Sequence, residues 1–376
     1  MYNIHIMGKP VVYLSKVREL REAIRGGAYA DGVFLSEAQV MRKFGVGRQT
    51  AVRILNELVK DGLIVRRRGA GTFLSRLGRR TTGRLGLIIH GSDYCELFAP
   101  VAKRISQVCQ SCGYSLMFGD VSSLGTVGRA QRVLQLVDKF LSDGVDGVIL
   151  QPIELVPNAA EINDKIARRL TEAKTPLVLL DSDIARPPER SPYDLVSVDH
   201  LAVGRRLAQH LRATGARRVV YLTQRNRAPC VLERQTGVAL GCAGLPLPGK
   251  AVFAEPDDFA AVRRMLKRDR PDAIACYNDR QAALLLQTLA RLGLRVPQDV
   301  RVAGFDDVQC ARLTIPPLTT MRQPCEAIGS TVVKLLIERI KDQTRPARTV
   351  LLDSPLVVRE STCNPQKGKG KGKREQ

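Results

Sequence analysis

From Leu85 onward the chain alternates between two kinds of stretch, and that alternation limits its fold more than any other feature. Short apolar runs occupy residues 85–89, 114–118, 145–150, 177–180, 195–198, 219–222, 273–276 and 300–303. Amphipathic stretches such as 101–112 and 127–141 lie between them. Runs this short and this continuously apolar predict strands buried on both faces, with helices as the crossovers that parallel strands require. The expected class is α/β, a doubly wound parallel-sheet core. The runs are too many for one sheet of ordinary width, so two lobes are expected. The Pro-rich, aperiodic residues 181–193 are the expected crossing between them. Small ligands bind such folds at the carboxyl ends of the strands.

The first 84 residues follow different rules. Leu14, Val17, Leu20 and Ile24 share one face of a helix over 13–25, which Gly26 and Gly27 stop. Ser36 is placed to cap a second helix over 37–43, with Val40 and Phe44 facing inward. After the tight turn Gly45-Val46-Gly47, a third helix runs to Lys60 and ends at Asp61-Gly62. On that helix Ala51, Ile54, Leu55 and Leu58 make the apolar face, while Gln49, Val52, Arg53, Asn56 and Lys60 lie opposite and Arg48 sits at the amino-terminal edge. Two short apolar strands then flank Arg66-Arg67-Arg68-Gly69-Ala70-Gly71, a β-hairpin with three arginines before its tip. Helix, turn, helix and basic wing together predict an N-terminal winged helix-turn-helix that binds double-stranded DNA. Its expected contacts are Ser36, Arg48, Gln49, Arg53, Arg66, Arg67 and Arg68.

Residues 34–74 resemble the winged helix-turn-helix of the GntR family. The matching positions include Ser36-Glu37, Phe44-Gly45-Val46, Arg48, Thr50, Asp61-Gly62-Leu63-Ile64, Arg66-Arg67 and Gly69-x-Gly71-Thr72-Phe73. The resemblance implies DNA contacts from Arg48, Thr50 and Gly69. The chain departs from the family's pattern in having Phe34-Leu35-Ser36-Glu37-Ala38 where Leu-Pro-Ser-Glu-Arg is usual. It also has Gly47 in place of a Ser, and Val52 followed by Arg53 where the family's second arginine falls one place earlier.

Residues 85–362 resemble the effector-binding core of LacI-type regulators, itself similar to periplasmic sugar-binding proteins. The resemblance rests on Arg301-Val302-Ala303-Gly304-Phe305-Asp306-Asp307, Pro316-Pro317-Leu318-Thr319-Thr320, Asp146-Gly147-Val148-Ile149-Leu150, Val198-Asp199 followed by Gly204, Arg234-x-x-Gly237, and Asn278-Asp279. It implies a small-molecule effector, a sugar in most of the family, held between two lobes. Arg234, Asp279 and Phe305 are its expected contacts, and Tyr94 and Phe98, in the segment after the first strand, are placed to stack on a sugar face. Asp306 and Asp307 read as helix caps.

The charge fits this division. The chain carries 59 Lys or Arg against 37 Asp or Glu, net +22, which points to a polyanionic partner. Residues 1–84 hold 17 basic and 6 acidic side chains, and the last 13 residues hold 5 and 1. The expected organisation is a DNA-binding domain at 1–75, a linker at 76–84, the two-lobed effector and dimerisation domain at 85–363, and a disordered basic tail at 364–376. Residues 1–10 lack the apolar stretch of a secretory signal, and no run is long enough to span a bilayer. With nine scattered cysteines, these features predict a cytoplasmic protein with free thiols, Cys109 and Cys112 included, and no membrane association. No P-loop, nucleophile elbow, dinucleotide-binding glycine pattern or metal-ligand spacing is present, so neither enzyme chemistry, nor cofactor, nor metal is expected. The expected function is a ligand-responsive, homodimeric transcription regulator, a repressor of carbohydrate-metabolism genes on a pseudo-palindromic operator. A solute-binding protein or an enzyme on the same fold is the alternative.

Overall fold

In the computed structural model the described residues are 12–25, 28–29, 34–67, 71–74, 82–89, 95–120, 126–186 and 188–363. The head contains α1 (Val12–Arg25), α2 (Glu37–Phe44), α3 (Arg48–Lys60), β1 (Ile64–Arg67) and β2 (Gly71–Leu74). Its core gathers Val17, Leu20 and Ile24 of α1 with Val40 and with Ala51, Ile54, Leu55 and Leu58 of α3. Leu14 departs from the predicted face: it is 47 % exposed, because the buried stripe of α1 begins one turn later. The strands of the wing pair antiparallel, Arg66 opposite Thr72 and Arg67 opposite Gly71. Phe34 N–H donates to Thr72 O (2.7 Å), which fastens the wing to the segment before α2.

The body begins with β3 (Arg84–Ile89), α4 (Cys95–Ser111), β4 (Ser115–Asp120), α5 (Thr126–Ser142), β5 (Gly147–Leu150), α6 (Ala159–Glu172), β6 (Leu177–Leu180) and β7 (Asp194–Val198). It continues with α7 (His200–Ala213), β8 (Arg218–Thr223), α8 (Pro229–Gly241), β9 (Leu247–Phe253), α9 (Phe259–Asp269), β10 (Ala273–Cys276), α10 (Asp279–Arg291) and β11 (Arg301–Asp306). The short α11 (Gln309–Leu313), β12 (Thr319–Arg322), the long α12 (Cys325–Lys341), β13 (Thr349–Leu352) and β14 (Leu356–Val357) complete it. The strands form two six-stranded sheets, ordered β13-β7-β6-β5-β3-β4 in the first lobe and β14-β12-β11-β10-β8-β9 in the second. All pairs are parallel except β12 with β14.

The inner apolar runs behave as doubly covered strands should, whereas the run at 114–118 forms an edge strand with Phe118 54 % exposed. In β3, Leu85, Leu87 and Ile89 enter one core cluster and Ile88 the opposite one. The first of these clusters runs through both lobes, joining α4 and α12 to α7 and to Tyr221 and Phe305 of the second sheet.

One expectation about connectivity is corrected. Residues 181–193 do not cross between lobes, since β6 and β7 are neighbours in the same sheet. The chain crosses where β7 passes into α7, again where β12 passes through Gln323-Pro324 into α12, and a third time between β13 and β14. The prolines mark an irregular excursion over the first lobe, and composition alone does not distinguish that from a crossing.

The first crossing is packed at backbone distance. A Cβ on Gly204 of α7 would lie 2.2 Å from Arg234 O, and a Cβ on Gly237 of α8 would lie 2.1 Å from Leu201 O. These glycines let the two helices touch main chain to main chain, which places Arg234 beside the start of α7. Gly204→Ala is expected to force the helices apart and cost about 1–3 kcal/mol, read as a lower denaturant midpoint of the body. A midpoint equal to wild type would contradict this close approach.

Candidate DNA interface and effector cleft

The reader is built from its caps upward. Ser36 Oγ accepts from Gln39 N–H (3.3 Å) and Gln39 Oε1 accepts from Ser36 N–H (2.7 Å), a reciprocal box that starts α2. Gly45 ends α2 with φ +59°, a left-handed conformation that suits glycine. α3 then opens at Gly47 with no side-chain cap, so its first N–H groups keep no protein acceptor from that residue. Free N–H groups at a helix start suit phosphate oxygens.

Arg48, Gln49, Arg53 and Asn56 are exposed on α3, and Thr50 is half-buried. Ser36 is brought to the same edge, although its hydroxyl serves the cap. Glu37 bridges the two arginines nearest this edge: Oε2 accepts from Arg48 Nε (3.3 Å), and Oε1 accepts from Arg66 Nη2. Arg66 Nη1 also donates to Asn56 Oδ1 (3.3 Å). The Arg66 hydrogen bond, then that of Arg48, holds the Glu37 carboxyl below its usual range. Sequence reasoning noted Glu37 only as part of a motif and missed this bridge. Arg67 belongs to β1, while Arg68 and Gly69 lie outside the described residues.

The second site lies between the lobes, at the carboxyl ends of their strands. Leu97 and Phe98 of α4 and Asp181 after β6 face Cys230, Val231 and Arg234 of α8, Tyr277 and Asn278 after β10, and Asp306 at the end of β11. Arg234 is 4 % exposed, and each nitrogen of its fork is engaged. Nε donates to His200 Nδ1 (3.2 Å), Nη1 to Tyr277 O (3.0 Å) and Nη2 to Asp306 Oδ1 (3.2 Å). Its guanidinium also lies 5.0 Å from the centre of the Phe305 ring. A wider cavity of ≈ 540 Å³ adjoins this cleft, shares Asp181 and Cys230 with it, and is flanked by His200 and Glu233.

The predicted effector residues therefore separate into two layers. Phe98 and Arg234 meet in the cleft. Phe305 is 1 % exposed and packs beneath Arg234, edge-on to Tyr221. Asp279 is corrected: it is fully buried, with Oδ1 accepting from Thr320 Oγ1 (2.6 Å) and Oδ2 from Val308 N–H (3.1 Å). Burial first, and the neighbouring Asp306 second, push its carboxyl well above the usual range. Asn278, one residue earlier and the N-cap of α10, is the group that lines the cleft. Tyr94 lies outside the described residues.

Asp306 and Asp307 are not helix caps either. Val308 occupies the N-cap of α11. Positive φ at Asp306 (111°) and Asp307 (56°) turns the two carboxylates to different partners. Asp306 takes Arg234 and Gln323 Nε2 (3.2 Å), whereas Asp307 takes Arg322 Nε (2.6 Å) and Arg359 Nη2 (2.5 Å). Sequence reading did not assign His200 and Asp181 to the cleft, took Asp306 for a cap, and noted Asn278 only as part of a motif. The partners of His200 and Asp306 lie far away in the chain, and no local pattern signals them.

Comparison with known proteins finds a match for each of the two parts of the chain. Residues 13–74 match the bacterial regulatory proteins of the gntR family, and residues 208–362 match the periplasmic binding protein-like domain. The chain is a transcription regulator with a GntR-type DNA-binding head and a periplasmic-binding-protein-like body. The arabinose metabolism transcriptional repressor of Halalkalibacterium halodurans is 26 % identical to this regulator over 375 residues, covering 93 % of this chain and 96 % of that protein. The regulator CelR of Thermobifida fusca is 29 % identical over 339 residues, 84 % of this chain and 95 % of its own. A solved CelR–cellobiose complex shares the fold with a TM-score of 0.63 at 22 % identity, over 94 % of this chain and all of that one. These relatives are transcription regulators, not enzymes. Among the regulator's described residues no helix is long and apolar enough to cross a membrane.

One carboxyl hydrogen-bonded to Ser182, a wall residue of the wider cavity, is expected to make stability depend on pH. Glu154, which accepts from Ser182 Oγ (2.7 Å), is pushed up to about 8 by burial and then by the nearby Asp181 charge. The folded chain then keeps a proton that the unfolded chain releases near 4.5, so stability falls as pH rises through that window towards about 8. Glu154→Gln is expected to gain stability relative to wild type between about pH 5 and about pH 8.5 in denaturant titrations. Parallel curves would contradict it.

Proposed function

We propose that this regulator is a sugar-responsive repressor that binds a pseudo-palindromic operator as a homodimer in the cytoplasm. The observation that carries the reading is the presence, in one chain, of a complete reader and a two-lobed cleft, with a sugar-named repressor aligned across both. Arg48, Gln49, Thr50 and Arg53 are the proposed base-reading group on α3. Ser36, Arg66, Arg67, Arg68 and Gly69 are the proposed contacts to backbone or minor groove. Two heads would address half-sites about 34–36 Å apart, or a multiple of that.

The proposed effector lies between the lobes, against Phe98, Asp181, Arg234 and Asn278, and Tyr94 remains a proposed contact from the sequence. Phe305 and Asp279 support it from behind. The adjoining ≈ 540 Å³ cavity has a volume suited to a small ligand. A neutral sugar fits this wall because it supplies donors and acceptors without adding a charge to the Arg234–Asp306 pair. Its binding alters DNA affinity to the extent that one lobe arrangement binds it more tightly. We assign residues 1–75 to the DNA-binding domain, 76–84 to the linker, 85–363 to the effector and dimerisation domain and 364–376 to a basic tail. A transport solute-binding protein on this fold has no use for the head.

The test is fluorescence anisotropy with duplexes tiling the gene's own upstream region, against a scrambled duplex. One duplex is expected to bind ~10³-fold or more tightly than the scramble. Arg48→Ala is expected to abolish that preference while leaving binding to a panel of neutral mono- and disaccharides unchanged. Equal, steeply salt-dependent affinity of the wild-type protein for every duplex would overturn the reading.

A further inference from the structure

The bridge made by Glu37 has a consequence for DNA recognition. In the free protein one carboxylate, at the first position of α2, holds two cations from two other elements: Arg48 at the start of α3 and Arg66 on the wing strand β1. Arg48 is the more exposed, with 79 % of its side chain accessible; Arg66 shows 35 % and Glu37 26 %. Glu37 accepts from Arg48 through Nε, which leaves the end of the fork, between the two terminal nitrogens, available to an outside acceptor. That is the edge with which an arginine contacts a guanine or a phosphate. Arg66 is held more fully, since Asn56 on the outer face of α3 takes its other terminal nitrogen (3.3 Å).

We propose that Glu37 is the positioning residue of the DNA reader: its carboxylate orients Arg48 for base contact and restrains the wing through Arg66, trading sequence-independent attraction for sequence preference. This inference rests on the proposed DNA contacts of Arg48 and Arg66. Two guanidinium groups facing the duplex would attract any phosphate. With Glu37 between them they present about one net charge, and that charge comes in a fixed direction. Each phosphate contact steepens the dependence of log K on log salt by about 0.9. Releasing the pair from its internal counter-charge therefore has a signature separate from any loss of folding.

The experiment uses the full chain and the preferred duplex found by tiling, with a scrambled duplex as reference, across a salt series. Glu37→Gln keeps the side chain's size and an acceptor oxygen but removes the charge. It is expected to bind the scrambled duplex several-fold more tightly, with a salt slope steeper by about 0.9. Its preference for the specific duplex is expected to fall about tenfold, with an unchanged thermal midpoint. Glu37→Asp restores the charge, and its salt slope is expected to return towards wild type. Wild-type slope and preference in Glu37→Gln would overturn the proposal. So would equal weakening on both duplexes with an unchanged slope, which marks a merely structural role. If Arg48→Ala loses sequence preference while Glu37→Gln changes nothing, the DNA-reading assignment stands and only the role of Glu37 fails.

Discussion

The body depends on a guanidinium that has been taken out of water. Burying a charge is costly unless it is paired and hydrogen-bonded, and removing one partner of a buried pair is worse than never building it. Arg234 meets that demand with a carboxylate, a carbonyl, an imidazole and an aromatic face. Those partners come from the ends of β10 and β11 and from the first residue of α7. The crossing segment before α12 joins through Gln323, which shares Asp306. The arginine therefore ties the second lobe's strand ends to two of the three places where the chain passes between lobes. Arg234 Nε can only donate, so His200 Nδ1 must accept and its proton sits on Nε2. That nitrogen lies 3.6 Å from Asp181 Oδ1, on the first lobe. No hydrogen bond closes that gap, so the cleft brings polar groups of the two lobes close without joining them, and a ligand entering there meets groups whose spacing depends on the angle between the lobes.

The head applies the same physics at the surface, with a different outcome. Its arginines remain accessible, so screening by water and salt keeps the interaction with Glu37 modest and exchangeable. A pair that must hold a core together is buried and several-fold engaged. Arg48, which is proposed to contact DNA, is exposed and held by a single hydrogen bond to Glu37. The apolar face of α3 is fixed by the head's core, so the polar face can be spent on recognition.

Much of this was legible in the sequence, and the illegible part has a common cause. The apolar runs marked eight of the body's described strands, most of them covered on both faces, but not β9, β12, β13 or β14. The winged head was legible because Ser36, Gly45 and Asp61-Gly62 punctuate its helices through local chemistry. The expected contacts went astray where long-range partners decide. Asp279 looked like a ligand-facing carboxylate at a strand end, yet Thr320 and Val308 claim it from 41 and 29 residues away. Asp306 looked like a cap and is the counter-ion of Arg234, 72 residues distant. The positive φ values that turn Asp306 and Asp307 apart have no glycine to announce them. The prolines of 181–193 suggested a lobe crossing, while two of the three real crossings coincide with ordinary helix starts.

The central claim is that the cleft and the reader are energetically coupled, and linkage makes that claim measurable from both ends. A ligand that changes DNA affinity by some factor must find its own affinity changed by the same factor when DNA is bound. The decisive measurement titrates a panel of neutral mono- and disaccharides, arabinose and cellobiose among them, into the free protein and into the protein saturated with its preferred duplex. The reciprocal DNA titrations are run with and without each sugar. The account predicts at least one sugar whose two factors agree at roughly 5–150-fold, the usual range of allosteric coupling, and whose binding is lost in Arg234→Ala. A sugar that binds tightly yet leaves DNA affinity untouched, with its own affinity indifferent to DNA, would contradict it.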